Sequence, residues 1–370
     1  MITQSLASHC CPVAEEPWVA DQLPRKNHWV PVSYLAAFTS DGSPDGLLTV
    51  RDREAPEKCL GLPPRSVAVE RDLYVVRGEE EGSMNDEVER ILASDVEAPF
   101  IPVRNHLVYG HAHGLTGTLS DEDCEVLRTF LAFQHVRTPA FREQLQLLEE
   151  WVGVTHAHTL FADHERVSAI HQRATGKPLT PEVSKDLLRA LEEERIQIRP
   201  QPKGWLTYAV GQLSDLIRII EKLPWAVFHS PPGVLLPTSD TPLVVVRRKS
   251  SEEFVHGGGW AEPNLEAVFP LSPTTVLVLG QALRRFADHG SERWFRQVRR
   301  RVTSGARRWL YMRQDDDELA HLLYSSSAPE MEVEYPGGAF TRGQSAIRAV
   351  LDMKQKNAGS ALTRYGPREP

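Results

Sequence analysis

The sequence is poor in cysteine and has no long apolar run. Its 370 residues include four cysteines, none spaced as C-x-x-C, so neither a disulfide-dense scaffold nor a paired-cysteine metal site is predicted. The longest apolar runs, such as PLVVV and TVLVL, are too short to span a bilayer, and the first residues lack the basic and apolar regions of a signal peptide. We therefore expect reduced thiols and a cytoplasmic protein that does not associate with membranes.

An excess of positive charge is also missing. Lys and Arg number 42 against 50 Asp and Glu, for a net charge of −8, which argues against a protein that coats nucleic acid generally. The hydrophobic fraction of 41% and the charged fraction of 25% are those of an ordinary globular chain. A chain of this length forms one large domain or two smaller ones.

Local patterns predict an α+β fold, with a helical body packed on a mainly antiparallel sheet built from sequence-distant segments. Helical spacing dominates the middle of the chain, and short β-branched runs separated by Pro and Gly follow it. The predicted organisation is a flexible N-terminal arm (1–23), a single α+β domain (24–325) and a C-terminal tail with one helix (326–370). Within the domain we predict a helical part (84–223), a strand-rich part (224–280) and an Arg-rich helix (288–313).

Two polar residues continue an apolar helix stripe in the segment FQHVRTPAF. Phe130, Gln134 and Arg137 share one helix face at i, i+4 and i+7. Burying such groups is costly unless they are paired. Gln134 and Arg137 therefore either tie the helix end to a neighbouring loop or form a site in which Arg137 grips a phosphate or carboxylate.

A second polar cluster stands before an apolar strand in LPTSDTPLVVV. Thr238, Ser239 and Asp240 precede Pro242 there. Such residues commonly cap the local backbone of a turn. The alternative is that Asp240 reaches the same cavity as Arg137.

The segments NHWVPVSYLAAF, FQHVRTPAF, LPTSDTPLVV and VFPLSP occur in this order along the chain. Together they resemble a widespread microbial family catalogued as domain of unknown function 4238. The resemblance spans about Lys26 to Arg313, and one departure is Thr241, where that family often has asparagine. It implies positions for the family's motifs without implying a chemistry. The matching residues are His28, Trp29, Pro31, Tyr34, Leu35 and Phe38, then Gln134, Arg137, Thr138 and Pro139, then Thr238, Ser239, Asp240 and Pro242.

His28 stands before a helix that Pro31 is expected to open. The positive end of a helix dipole would lower the pKa of His28 and favour a neutral imidazole able to act as a general base. We therefore predict a catalytic set acting on a phosphodiester, and assign Tyr34, Thr238 and Ser239 to substrate binding. The members of the catalytic set are His28, Gln134, Arg137 and Asp240.

The late Arg-rich segment is the strongest local charge feature. From Arg284 to Arg313 there are ten arginines and two acids, a balance of +8, which leaves −16 for the rest of the chain. A basic face paired with acidic neighbours is one interpretation, and a surface that binds phosphates of RNA or DNA is the other. The arginines assigned to substrate binding in the second interpretation are Arg293, Arg296, Arg300 and Arg307.

Two functions follow as hypotheses. The first is a nucleic-acid or nucleotide phosphodiesterase, such as a defence-type nuclease. The second is a non-catalytic binding module that docks RNA or an acidic protein partner through the Arg-rich helix. No cofactor and no metal site are predicted, although H-x-H pairs at His111 and at His156 leave a divalent metal open. If the motifs meet in a solvent-accessible cleft, the phosphodiesterase is favoured. If they meet in an interior that excludes water and in which each polar group is hydrogen-bonded, the binding module is favoured.

Overall fold

The computed structural model describes most of the chain from Lys26 onward. The predicted arm over 1–23 lies outside the described residues. None of the helices within the described ranges has the length and apolar character needed to cross a bilayer. The described ranges are 26–74, 76–77, 84–85, 87–110, 119–198, 204–257, 259–329, 332–335 and 338–364.

Helices and strands are both abundant, which confirms the predicted α+β class. The helices are α1 (Val32–Leu35), α2 (Glu87–Ile91), α3 (Ala98–Tyr109), α4 (Asp121–Val136), α5 (Pro139–Ala162), α6 (His164–Thr175), α7 (Pro181–Glu192), α8 (Gly204–Lys222), α9 (Glu292–Gly305), α10 (Asp317–Ser325) and α11 (Ala346–Arg364). The strands are β1 (Lys26–His28), β2 (Leu48–Asp52), β3 (Ala55–Leu62), β4 (Val69–Arg71), β5 (Val76–Arg77), β6 (Met84–Asn85), β7 (Trp225–His229), β8 (Thr238–Ser239), β9 (Val244–Arg248), β10 (Phe254–His256), β11 (Leu265–Ser272), β12 (Thr275–Leu279), β13 (Trp309–Met312), β14 (Glu332–Tyr335) and β15 (Gly338–Thr341).

Side-chain caps set the starts of the long helices. The hydroxyl of Ser120 accepts a hydrogen bond from the backbone of Asp123 at the start of α4, and that of Thr138 accepts one from Phe141 at the start of α5. Each cap satisfies an N–H that has no partner within the helix. Pro139 fits the first turn of α5 because its missing N–H is no loss there.

A five-stranded antiparallel sheet, in the order β10-β9-β11-β12-β7, forms the centre of the molecule. Successive side chains of a strand point to opposite faces. Val268 and Val276 accordingly pack in a cluster with α9, whereas Phe269 and Leu277 pack in the larger core with α3 and α4. Because both faces are covered by helices, β11 and β12 are buried along their whole length.

A second antiparallel sheet, in the order β3-β2-β13-β8, joins strands that are far apart in the sequence. β8 and β9 follow each other along the chain but belong to different sheets. The short segment around Asp240 therefore carries the chain from one sheet to the other. This arrangement confirms the predicted assembly of sequence-distant segments.

The Arg-rich segment is not one helix over 288–313. Ser291 caps the start of α9, the helix ends at Gly305, and Ala306 already has an extended backbone. The apolar run of β13 then pairs with β2 and β8, because four consecutive large apolar residues gain more from burial in a sheet than from one more exposed helical turn. Arg307 consequently lies in the turn between α9 and β13 and not on the helix face.

The predicted C-terminal tail contains more structure than one helix. Besides α11, it includes the antiparallel hairpin of β14 and β15. Phe340 of this hairpin and Val350 of α11 are buried in a cluster with Leu147 and Val154 of α5. Residues 338–350 therefore pack against the helical body.

Candidate functional site

His28 lies at the end of β1, where it pairs with Val69 of β4. It is not at a helix N-terminus, because Trp29 to Pro31 separate it from the four-residue helix α1. Its Nε2 is 3.3 Å from the carbonyl oxygen of Arg65. Burial lowers the pKa of His28, while that carbonyl and the charge of Glu97 oppose the change. A helix dipole was expected to favour the neutral imidazole of His28, but burial is what lowers its pKa in the structure.

Gln134 and Arg137 form a buried node at the end of α4. The side-chain amide of Gln134 donates to the carbonyl oxygen of Trp29 at 3.0 Å. Arg137 donates to the Gln134 amide oxygen through Nε at 3.1 Å and through Nη2 at 2.6 Å. The node ties the helix end to the loop that follows β1, so the first two motifs meet in space.

Glu97 completes this node and was missed by sequence reasoning. Its carboxylate accepts from Nη1 of Arg137 at 2.6 Å; the Arg137 side chain is 2% exposed and that of Glu97 is 22% exposed. Glu97 ends a π-helical turn, Leu92–Glu97, between α2 and α3. Pro99 lies just beyond and cannot donate to a carbonyl one turn back, which accounts for the local widening of the helix. The available signal was the proline pair at 99 and 102 inside a helical pattern.

We define the framework node as His28, Glu97, Gln134 and Arg137. Among its members, His28 and Glu97 are partly exposed, whereas Gln134 and Arg137 are buried. If Nε2 of His28 donates to Arg65, the lone pair of the neutral ring is on Nδ1. No partner of Nδ1 is found among the described residues.

Tyr34 and Thr238 are fully inside the molecule. The Tyr34 hydroxyl donates to the carbonyl oxygen of Pro270 at 2.7 Å and lies 2.8 Å from the Thr238 hydroxyl. Ser239, also buried, accepts from the backbone N–H of Thr241 at 3.1 Å. These contacts connect α1, the second sheet and the central sheet, so these three of the seven predicted substrate-binding residues lie in the interior.

Asp240 binds the backbone of the turn between α9 and β13. Its carboxylate accepts from the N–H groups of Arg307, Arg308 and Trp309 at 2.9, 2.8 and 3.1 Å. Burial raises the pKa of the Asp240 carboxyl, and the three amides oppose that rise. Within the described part of the chain Asp240 makes no contact with the framework node, so the structure does not bring the four predicted catalytic residues together.

Arg293, Arg296 and Arg300 lie in one row on the exposed face of α9, and we call them the arginine row. Arg293 pairs with Glu252 and Arg296 with Glu292, with side chains 72% and 63% exposed. Arg300 is exposed and has no acidic partner among the described residues.

The fourth predicted arginine is elsewhere. Arg307 bonds Glu143 and the carbonyl oxygen of Pro329 and is only 22% exposed. It therefore joins the α9–β13 turn to α5 and does not belong to the arginine row.

A buried ionic network between the central sheet and α9 was not predicted. Glu266 accepts from Arg248 at 3.0 Å and from His289 at 2.8 Å, and it also pairs with Arg301. Burial would raise the pKa of Glu266, but the hydrogen bond from His289 and the two arginine charges outweigh it and lower the pKa. The sequence signal was charge within two apolar strands, because two arginines end VVVRR and one glutamate lies inside LEAVF.

Histidine pairs do not form a metal centre within the described residues. No group of three or more His, Cys, Asp or Glu side chains is placed to hold a metal ion there. His156 and His158 lie on α5, where residues two apart point to different sides of the helix and not to one face as in a strand. His111 and His113 lie outside the described residues.

The fold and the motif positions define an α+β protein whose central antiparallel sheet is covered by helices on both faces. The profile of the family described as Protein of unknown function (DUF4238) matches residues 26–316, so the chain belongs to that family. This confirms the resemblance of the motifs. No curated protein and no solved structure matches the chain.

Proposed function

We propose that this chain is a non-catalytic docking module whose arginine row binds an acidic protein segment. The observation that carries the proposal is the contrast between the two sets of polar residues. Most polar residues of the motifs are buried and hydrogen-bonded. The arginine row, in contrast, is exposed on a helix whose opposite face packs against the central sheet. A buried, satisfied polar network favours a structural role for its members.

The scaffold beneath the arginine row is rigid. Phe295, Val298 and Val302 on the opposite face of α9 have no exposed surface and pack against the central sheet. Such a close-packed contact keeps the helix from moving when a partner binds. The guanidinium groups are therefore presented in one row with little backbone entropy to lose.

Carboxylates are the ligands that the row already holds. Glu252 and Glu292 pair with Arg293 and Arg296, but exposed ion pairs of this kind contribute only about 0–1 kcal/mol. Carboxylates of a partner can therefore replace them at little cost. RNA is less favoured because Trp294 and Phe295 are buried and cannot stack on bases.

The test compares two triple variants that remove the same charge. Arg293→Gln/Arg296→Gln/Arg300→Gln removes the arginine row. The matched control is Arg173→Gln/Arg189→Gln/Arg218→Gln, which alters three exposed arginines on other helices, two of them also paired with nearby acids. Binding of a fluorescent poly-glutamate peptide is measured by anisotropy at low and high salt.

We expect binding that weakens as salt rises, and a loss of about tenfold or more in the row variant but not in the control. Equal affinity of both variants would contradict the proposal. Tighter binding of a single-stranded RNA of equal charge would instead favour RNA as the partner.

The second candidate function is a phosphodiesterase, and His28 is the observation that favours it. A neutral imidazole oriented by the Arg65 carbonyl, with Nδ1 free among the described residues, is suited to act as a general base. Glu97 and Arg137 beside it would position the ring and a phosphate. Asp240 and Thr238 would not contribute.

The experiment for this candidate is a cleavage assay on RNA, DNA and nucleotides, with and without divalent metal. His28→Ala should abolish cleavage with little change in Tm, whereas His321→Ala, at an exposed position, should not. Absence of turnover in the unaltered protein, or full turnover in His28→Ala, would reject the phosphodiesterase.

A further inference from the structure

A cavity of about 360 Å³ lies between α5, the end of α7 and the start of α11. Its apolar wall includes Val154, Leu191, Ile198 and Ile347. A volume of this size is within the range of about 300–1,000 Å³ that accommodates small organic molecules. The cavity shares no residue with the framework node or the arginine row.

Two acids line the described wall, and they differ in their partners. Glu194 is held by the Ser345 hydroxyl at 2.9 Å and by Arg348 at 3.2 Å. Glu150 is half-buried and has no hydrogen-bond or ion-pair partner among the described residues. Burial raises the pKa of Glu150, as expected for a carboxylate that has lost water without gaining a cation.

We propose that this cavity binds a small organic amine with an aliphatic body, whose ammonium group pairs with Glu150. The aliphatic part would cover Val154, Leu191 and Ile347, and its transfer from water is favourable. The cation would offset the cost of the desolvated carboxylate. A neutral ligand of the same shape gains only the first of these contributions, and an anion is opposed by Glu150.

Three probes of equal length separate shape from charge. Hexylamine, hexanol and hexanoate are titrated into the full chain by isothermal calorimetry. We expect hexylamine to bind about tenfold more tightly than hexanol, which corresponds to one half-buried ion pair, and hexanoate to bind least well. Equal affinity for the three probes, or no binding of hexylamine, would overturn the proposal.

Neighbouring carboxylates on α5 supply a matched pair of variants. Glu150→Gln should remove the preference for hexylamine over hexanol. Glu149→Gln makes the same change one residue away, at a carboxylate whose pKa is also raised by burial but which does not line the cavity. It should leave the preference intact, and equal effects of both variants would contradict the role of Glu150.

A third variant tests the cavity independently of charge. Ile347→Trp should fill the space and abolish the binding of both hexylamine and hexanol. Unchanged binding of hexylamine to this variant would place the amine elsewhere and overturn the proposal. Because hexanol binding reports an intact cavity, its retention in Glu150→Gln shows that this variant is folded.

Discussion

Three buried charged side chains of the described part of the chain, Asp240, Glu266 and Arg137, lie where opposite charges or hydrogen-bonding groups compensate them. Asp240 accepts three amide hydrogen bonds, Glu266 is surrounded by two arginines and a histidine, and Arg137 is held by Gln134 and Glu97. Removing one partner of such a set leaves a buried group unpaired, which is far more costly than removing an exposed ion pair. Residue type alone does not reveal this placement.

His256 is a half-buried histidine whose protonation opposes folding. Burial, with the nearby charge of Arg301, lowers the pKa of His256 to about 4. An unfolded histidine takes up a proton near its ordinary pKa of about 6.5, so the unfolded state binds more protons between these values. The free energy of unfolding should therefore fall by up to about 3 kcal/mol through this residue as pH falls from 7 to 4.

Urea unfolding at several pH values measures this effect. His256→Gln should show a shallower fall in stability with acid than the unaltered protein, whereas His321→Gln, at an exposed position, should not. The same pH dependence in all three proteins would show that His256 does not titrate as described.

At the scale of elements, apolar periodicity predicted helices in the regions of α4 and α9, because each has one buried apolar stripe. What it could not locate was the end of α9. The arginines continue past the helix as far as Arg313, but Gly305 ends the helix and the apolar run of β13 joins a sheet whose other strands are far away in the sequence. Helix and strand compete locally there, and long-range pairing decides the outcome.

The π-helical turn before α3 shows the same limit for the candidate site. Pro99 and Pro102 signal an irregular helix, yet nothing local indicates that the irregularity directs Glu97 towards Arg137. The stripe of α4 predicted that Gln134 and Arg137 would need partners. The partners themselves, Trp29 and Glu97, come from other segments and required the three-dimensional structure.

For the molecule as a whole, the α+β class and the joining of distant segments were predictable from strand-like and helix-like patterns. The convergence of motifs was only half predictable. The first and second motifs meet at the framework node, and Thr238 of the third motif contacts Tyr34 of the first. Asp240 of the third motif instead binds the α9–β13 turn. The order of the motifs along the chain does not predict which polar clusters meet. The chain passes from one sheet to the other within the few residues between β8 and β9.

The central claim is that the buried motif residues hold the architecture together and leave recognition to the exposed arginine row. The most direct test is the free energy of unfolding of Arg137→Ala and Arg296→Ala, measured in urea. We expect Arg137→Ala to lose at least about 2 kcal/mol, because Glu97 and Gln134 lose their partner, and Arg296→Ala to change by no more than about 0.5 kcal/mol. Equal stability of the two variants would contradict the claim. Arg137 would then again be a candidate for binding a ligand.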